Sequence, residues 1–205
     1  FVKDRENVTD PTVRRRYAML ASITGIVLNL LLFAGKLSVG ILAVSVAVIA
    51  DAFNNVSDAG SSVITLIGFR LSGKHEDKRH PWGHGRLEYV SAFIVDMLII
   101  LVGAELLKSS VDKIIHPELP AVSAATIVLL AVAILVKLWL FLFYRKIGAL
   151  INSSAIKAAS FDSISDTVAT TLVLVSALIG KFAGVGIDGW AGILVAGFIL
   201  FTGVK

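Results

Sequence analysis

The sequence reads FNNVSD at residues 53–58 and FDSISD at residues 161–166, and each phrase lies inside a long apolar segment. In both phrases an oxygen-bearing side chain stands four residues before an aspartate, and a serine directly precedes that aspartate. Carboxylates are costly inside a lipid bilayer, and those that occur there usually have a function. The matched positions therefore predict one shared task for the two phrases, which is to hold a divalent cation that crosses the membrane.

The composition is that of an integral membrane protein. The chain has 205 residues, of which 56% are hydrophobic, and its mean hydropathy is +0.85. Its charged residues gather in short segments, and the apolar stretches between them are about 20 residues or longer, enough to span a bilayer as helices. The net charge of +4 is therefore assigned to cytoplasmic loops, and no nucleic-acid partner is expected. The absence of cysteine excludes disulfides and thiolate metal ligands.

Apolar length predicts an all-α membrane protein with six transmembrane helices, at about residues 17–39, 44–71, 87–115, 121–144, 153–179 and 187–204. Residues 1–16 are assigned to a cytoplasmic N-terminal segment, and residues 17–205 to the six-helix transmembrane domain. The region 14–71 is the hardest to divide, because only the surroundings of Gly40 offer a turn. A single helix there would be about twice as long as a bilayer is thick, so two helices are predicted.

The basic residues predict the orientation of these helices. With the N-terminus inside, the outer side keeps only Lys108, Lys113 and Lys181, with Lys36 near it. This asymmetry places both termini in the cytoplasm. Helix two then runs inward and helix five outward, so that the two phrases are antiparallel, each in the middle helix of a three-helix half. The predicted fold is thus two inverted three-helix halves, with the binding site at their interface.

The two phrases supply four oxygen ligands. Residues four apart lie on one face of a helix, so Asn54 pairs with Asp58, and Asp162 pairs with Asp166. If helices two and five touch, the four side chains converge, and three carboxylates with one amide oxygen suit a hard divalent ion. When the ion leaves, carboxylates in a low dielectric should take up protons, which makes metal/proton exchange natural. The alternative is four unrelated polar residues at helix contacts.

Other polar residues suggest further roles. The loop cluster His75, Asp77, His80 and His84 has the side chains of a Zn²⁺ or other first-row metal site, the alternative being a solvated loop. Asp51 is either an attractor of cations at the outer mouth or an interfacial residue. Lys36 in helix one and Lys137 in helix four need partners or a route to the interface. Asp51 and Asp96 are candidate partners for Lys36.

Three motifs carry a family resemblance. Residues 50–58 resemble the second helix of the cation diffusion facilitator transporters, and residues 80–88 resemble that family's loop and the start of its third helix. Asp162 and Asp166 are similar to its paired ligands on helix five. The likeness covers essentially the whole chain, with the motifs in the family's order.

The resemblance implies a homodimer that exports divalent metal in exchange for protons. It implies a transport site made by Asn54, Asp58, Asp162 and Asp166. It implies a second, loop site made by Asp77, His80 and His84. It also implies a cytoplasmic C-terminal domain of ferredoxin-like fold, which would follow Lys205 and is absent from this sequence.

The ligand set predicts the metal. Zinc-exporting members usually place a histidine in the transport site, often where this chain has Asp162, and the all-oxygen set resembles that of the manganese-transporting branch. Oxygen ligands favour Mn²⁺, with Zn²⁺, Fe²⁺ and Co²⁺ as alternatives. The predicted protein is a transporter and not an enzyme, uses no cofactor, and lies in a bacterial-type inner membrane. Its rivals are a divalent cation channel and a membrane sensor that binds metal without moving it.

Overall fold

The structure is a computed structural model that describes the backbone of residues 10–71, 85–116 and 122–204. Side chains are described for the same residues except 65, 68–71, 85–96, 98–99 and 202–204. Regular structure in these ranges is entirely helical, as the sequence predicts. The helices are α1 Pro11–Ala43, α2 Val46–Leu71, α3 Gly85–Ile115, α4 Ala124–Leu150, α5 Ser154–Ala183 and α6 Asp188–Val204.

Helices α1 and α4 extend beyond the apolar segments that predict them. Helix α1 begins with Pro11 in its first turn, and the N-cap Asp10 accepts a hydrogen bond from the backbone N–H of Thr12 at 2.7 Å. The basic residues 14–16 are therefore helical. Helix α4 likewise continues through Arg145 and Lys146 to Leu150. Hydropathy locates the apolar part of a helix, whereas capping groups decide where the helix ends.

A two-residue connection joins α1 and α2. Val44 adopts the left-handed conformation, with φ of 52°, and its N–H and that of Ser45 bond to carbonyls of the last turn of α1. A Cβ at Gly40 would come within 2.9 Å of the Ile49 side chain, so glycine allows α2 to fold back closely on α1. The turn predicted near Gly40 is thus found four residues further on, and it makes α1 and α2 an antiparallel pair.

Three of the helices, α1, α4 and α5, are long and apolar enough to cross a bilayer, judged by length and composition over the described residues. Many of their outward side chains are large and apolar, among them Leu31, Leu135 and Val168, each about two-thirds exposed. The described apolar part of α6, Asp188–Phe201, is shorter. Exposed aliphatic surface of this extent is expected where lipid replaces water as the solvent.

Helices three positions apart in the chain cross in opposite directions. At the start of α1, the Arg14 side chain donates to the carbonyl of Ile151, which follows α4, at 3.2 Å. Helix α3 meets α6 through Ser110, whose hydroxyl would collide with a Cβ at Gly192. Helices α2 and α5 meet at their centres through polar side chains. This central crossing brings the FNNVSD and FDSISD phrases together.

Candidate metal site

Helices α2 and α5 are joined by a hydrogen bond between their two phrases. The amide nitrogen Nδ2 of Asn54 donates to Oδ1 of Asp166, and both side chains are buried. Asp58 lies one turn further along α2, on the same face as Asn54, and its side chain is 19% exposed. Three of the four predicted ligands therefore lie at the α2–α5 crossing.

Lys137 of α4 lies between the two aspartates. Its Nζ atom is 2.6 Å from Oδ2 of Asp58 and 2.6 Å from Oδ2 of Asp166. The lysine side chain is 1% exposed, so the ammonium is almost fully withdrawn from solvent. A charge buried this deeply needs partners of opposite sign, and the two carboxylates supply them. The pattern of the sequence did not indicate these partners, because a lone lysine in an apolar helix does not show which helix it faces.

Asp162 is placed differently from the other three predicted ligands. It lines the same cavity but has an exposed side chain, one turn before Asp166 on α5. Over the described residues, no three histidine or acidic side chains lie close enough together to hold one ion. The structure thus gathers Asn54, Asp58 and Asp166 around an ammonium, with Asp162 on the more open side.

A cavity of about 250 Å³ begins at this cluster. It extends toward the end of the bundle where α1 and α5 begin and α2 and α4 end. Its polar lining consists of Ser22, Asn29, Asp58, Ser61, Ser62, Lys137, Tyr144, Asp162, Ser163 and Asp166. The cavity therefore leads from one end of the bundle toward the carboxylates, past several polar side chains.

Asn29 is a cavity residue that the sequence patterns did not single out. Its side chain is 3% exposed, and its Oδ1 atom accepts no hydrogen bond from the described part of the protein. A buried carbonyl oxygen without a donor is costly, so it is expected to serve a ligand or water. The available signal was its spacing, since Asn29 stands seven residues, about two turns, before Lys36 on α1.

A second ionic network joins α1, α2 and α5 on the side of the cluster that faces away from the cavity. Nζ of Lys36 lies 2.8 Å from Oδ2 of Asp51 and donates to Oγ1 of Thr170 at 2.9 Å. Thr170 donates in turn to Oδ1 of Asp51 at 3.0 Å. All three residues are completely buried. Lys36 therefore pairs with Asp51, and because Asp51 is fully buried, neither an open mouth nor an interfacial position describes it.

A third network lies at the end of the bundle that is opposite the cavity. Asp188, at the start of α6, accepts from Oγ of Ser45 at 2.5 Å and from the N–H of Val46 at 3.0 Å. Lys113 of α3 lies 3.4 Å from the same carboxylate and donates to the carbonyl of Val44. One aspartate thus caps the start of α2 and ties α3 and α6 to the α1–α2 turn.

The predicted loop site falls in the segment between α2 and α3. His75, Asp77, His80 and His84 lie outside the described residues, as does the side chain of Asp96.

The bundle and its buried ionic cluster define an integral membrane protein with a polar site between its helices. A sequence profile of the cation efflux transmembrane domain matches residues 22–205. The chain therefore belongs to the cation efflux family, the cation diffusion facilitators, which confirms the family that its motifs resemble.

Individual relatives agree with this assignment. An uncharacterised transporter of Methanocaldococcus jannaschii is 32% identical over 85% of this chain and 62% of its own length. The manganese efflux system proteins MneP and MneS of Bacillus subtilis are 30% and 32% identical, over 90% and 80% of this chain. The chain spans 60% of MneP and 54% of MneS, so it corresponds to little more than half of each relative.

Proposed function

We propose that the protein is a secondary active transporter that exports a divalent metal cation, Mn²⁺ first among candidates, in exchange for protons. The observation that carries the proposal is the meeting of Asn54, Asp58 and Asp166 at the antiparallel crossing of α2 and α5, beside the buried ammonium of Lys137. Carboxylates retained at such a crossing, at the inner end of a polar cavity, suit a cation that enters and leaves.

The proposed architecture is a pair of inverted three-helix halves, α1–α3 and α4–α6. Its support is that the duplicated phrases cross in opposite directions, and that α1 with α4 and α3 with α6 do the same. Lysine and arginine are abundant at the cavity end, at Arg14, Arg145, Lys146 and Lys157 among others. By the positive-inside rule this end faces the cytoplasm, so the cavity is the inward-facing access route. The intact protein is expected to work as a homodimer.

The metal is inferred from the ligand chemistry. Asn54, Asp58, Asp162 and Asp166 offer only oxygen, which suits Mn²⁺ and gives up the imidazole that favours Zn²⁺. Two relatives that cover most of this chain are named as manganese efflux proteins, which points the same way. Fe²⁺, Co²⁺ and Zn²⁺ are the alternatives. The loop residues Asp77, His80 and His84 remain a proposed second metal site.

Proton exchange follows from the same carboxylates. When the metal departs, the three carboxylates and the ammonium of Lys137 together keep two net negative charges. In a low dielectric this excess charge is stabilised by protonation, and the protons are released when the next metal binds. The test is Mn²⁺ uptake into proteoliposomes that enclose a pH-sensitive dye, with Zn²⁺ measured in parallel. Mn²⁺ flux with opposite proton flux supports the proposal. Metal flux without proton movement would instead favour a channel, and binding without flux would favour a sensor.

Asp162→His is expected to shift the metal preference from Mn²⁺ toward Zn²⁺. Imidazole is a better ligand for Zn²⁺ than carboxylate is, so the Zn²⁺-to-Mn²⁺ uptake ratio should rise about tenfold or more. The exposed Asp112 of α3 lies outside the cavity lining, and Asp112→His is the matched control. An unchanged ratio in Asp162→His would show that Asp162 does not select the metal.

Asn29→Ala is expected to weaken Mn²⁺ binding about tenfold, because it removes an oxygen donor from the cavity. The control is Asn55→Ala, which removes an equally buried asparagine of α2 that does not line the cavity. Isothermal titration of both variants in detergent measures the difference. Wild-type affinity in Asn29→Ala would leave Asn29 a purely structural residue.

A further inference from the structure

Lys137 occupies the place between the two carboxylates that a metal ion needs. Its Nζ atom is equidistant, at 2.6 Å, from a carboxylate oxygen on α2 and another on α5. A small divalent ion bound by both oxygens would lie about 2.1 Å from each, in nearly the same position. The ammonium and the metal cannot be there together, because the space is shared and like charges repel strongly at such distances.

We propose that Lys137 is a tethered competitor of the transported metal: its ammonium pairs with the carboxylates between transport events, leaves them when the metal binds, and returns to help expel it. The inference rests on the proposed function and deepens it. Lys137 thereby becomes a residue that tunes affinity and release without being a ligand.

The charges of the site agree with such a role. Asp58, Asp162 and Asp166 together with Lys137 carry two net negative charges when all four are ionised. One divalent cation cancels that charge, provided that the displaced ammonium remains near the site. A neutral side chain at residue 137 would leave three negative charges facing the metal. Binding should then be tighter, and release slower.

The structure gives the ammonium somewhere to go. Lys137 lines the cavity of about 250 Å³, together with the hydroxyl-bearing residues Ser61, Ser62 and Tyr144. Its side chain has four methylene groups and can swing without moving the helix. A displaced ammonium would therefore move toward these hydroxyl groups and not into lipid, which keeps the cost of the exchange low.

The contrasting role is a fixed ion pair that only holds α4 against α2 and α5. A fixed pair predicts that neutral variants lose stability and bind metal no better than the wild type. The competitor role predicts that the neutral variants bind metal more tightly than the wild type, even though they are less stable before metal is added. Metal affinity thus separates the two roles, whereas stability alone does not.

The experiment uses the intact protein in detergent and measures Mn²⁺ affinity by isothermal titration. Lys137→Met is expected to bind Mn²⁺ at least about tenfold more tightly, because the competing charge is gone. Release of bound radioactive Mn²⁺ into excess EDTA should slow by a similar factor. Lys137→Gln provides the same test if the methionine variant does not fold, because its amide can still donate to a carboxylate. Lys146→Met, on the exposed face of the same helix, is the control and should match the wild type.

The outcomes distinguish the inference from the function beneath it. If the wild type binds and transports Mn²⁺ but neither neutral variant binds it more tightly, the competitor role is wrong and the transporter stands. If the wild type neither binds nor transports Mn²⁺, Zn²⁺, Fe²⁺ or Co²⁺, both the proposed function and the competitor role are wrong. If Lys146→Met also bound Mn²⁺ more tightly, the gain in affinity would come from the lower net charge of the protein, and the competitor role would be wrong.

Discussion

Asp166→Ala and Asp58→Ala are each expected to abolish Mn²⁺ transport in proteoliposomes, with a loss of at least about a hundredfold, because each removes a carboxylate from the crossing of α2 and α5. Each variant also leaves Lys137 with one carboxylate in place of two. Asp166 should be the more sensitive position. It accepts from Asn54 as well as from Lys137, so its loss frees two donors on different helices.

Loss of folding must be separated from loss of the site in this experiment. Asp166→Asn keeps the shape of the side chain and should still lose transport. Asp112→Ala removes an exposed carboxylate of α3 and should transport normally. Apparent melting temperatures in detergent show whether each variant is folded. Transport at the wild-type rate by a folded Asp58 or Asp166 variant would contradict the site assignment.

Lys36→Met is expected to destabilise the protein by about 3–5 kcal/mol, because it leaves the carboxylate of Asp51 buried without its positive partner. The pair has no exposure to water, and Thr170 alone cannot compensate for the charge. The measurement is the shift of the apparent melting temperature in detergent. Lys108→Met changes an exposed lysine of α3 and should leave that temperature unchanged.

A double variant tests whether the pair itself is responsible. Lys36→Met combined with Asp51→Asn removes both charges and should be more stable than Lys36→Met alone, since no unpaired charge remains. Additive losses in the double variant would mean that the two residues do not depend on each other. A stable Lys36→Met variant would show that Asp51 finds another partner or a proton.

The pattern of residues along the chain was enough to locate the helices and to group the candidate ligands in two pairs. Apolar length gave the positions of α1 to α6, and the four-residue spacing put Asn54 with Asp58 and Asp162 with Asp166 on single helix faces. Both results follow from local geometry, since a helix has a fixed period and a bilayer has a fixed thickness. Capping by Asp10, which hydropathy does not report, accounts for the earlier start of α1.

The tertiary structure alone decided which charges meet. Lys137 reaches Asp58 across 79 positions of the chain and Asp166 across 29, and Lys36 reaches Thr170 across 134. It also decided that Asp162, one turn from Asp166, has an exposed side chain. Helical periodicity fixes neighbours within a helix only. The choice of partners between helices depends on how the helices pack. That packing places the buried ammonium of Lys137 among the predicted oxygen ligands.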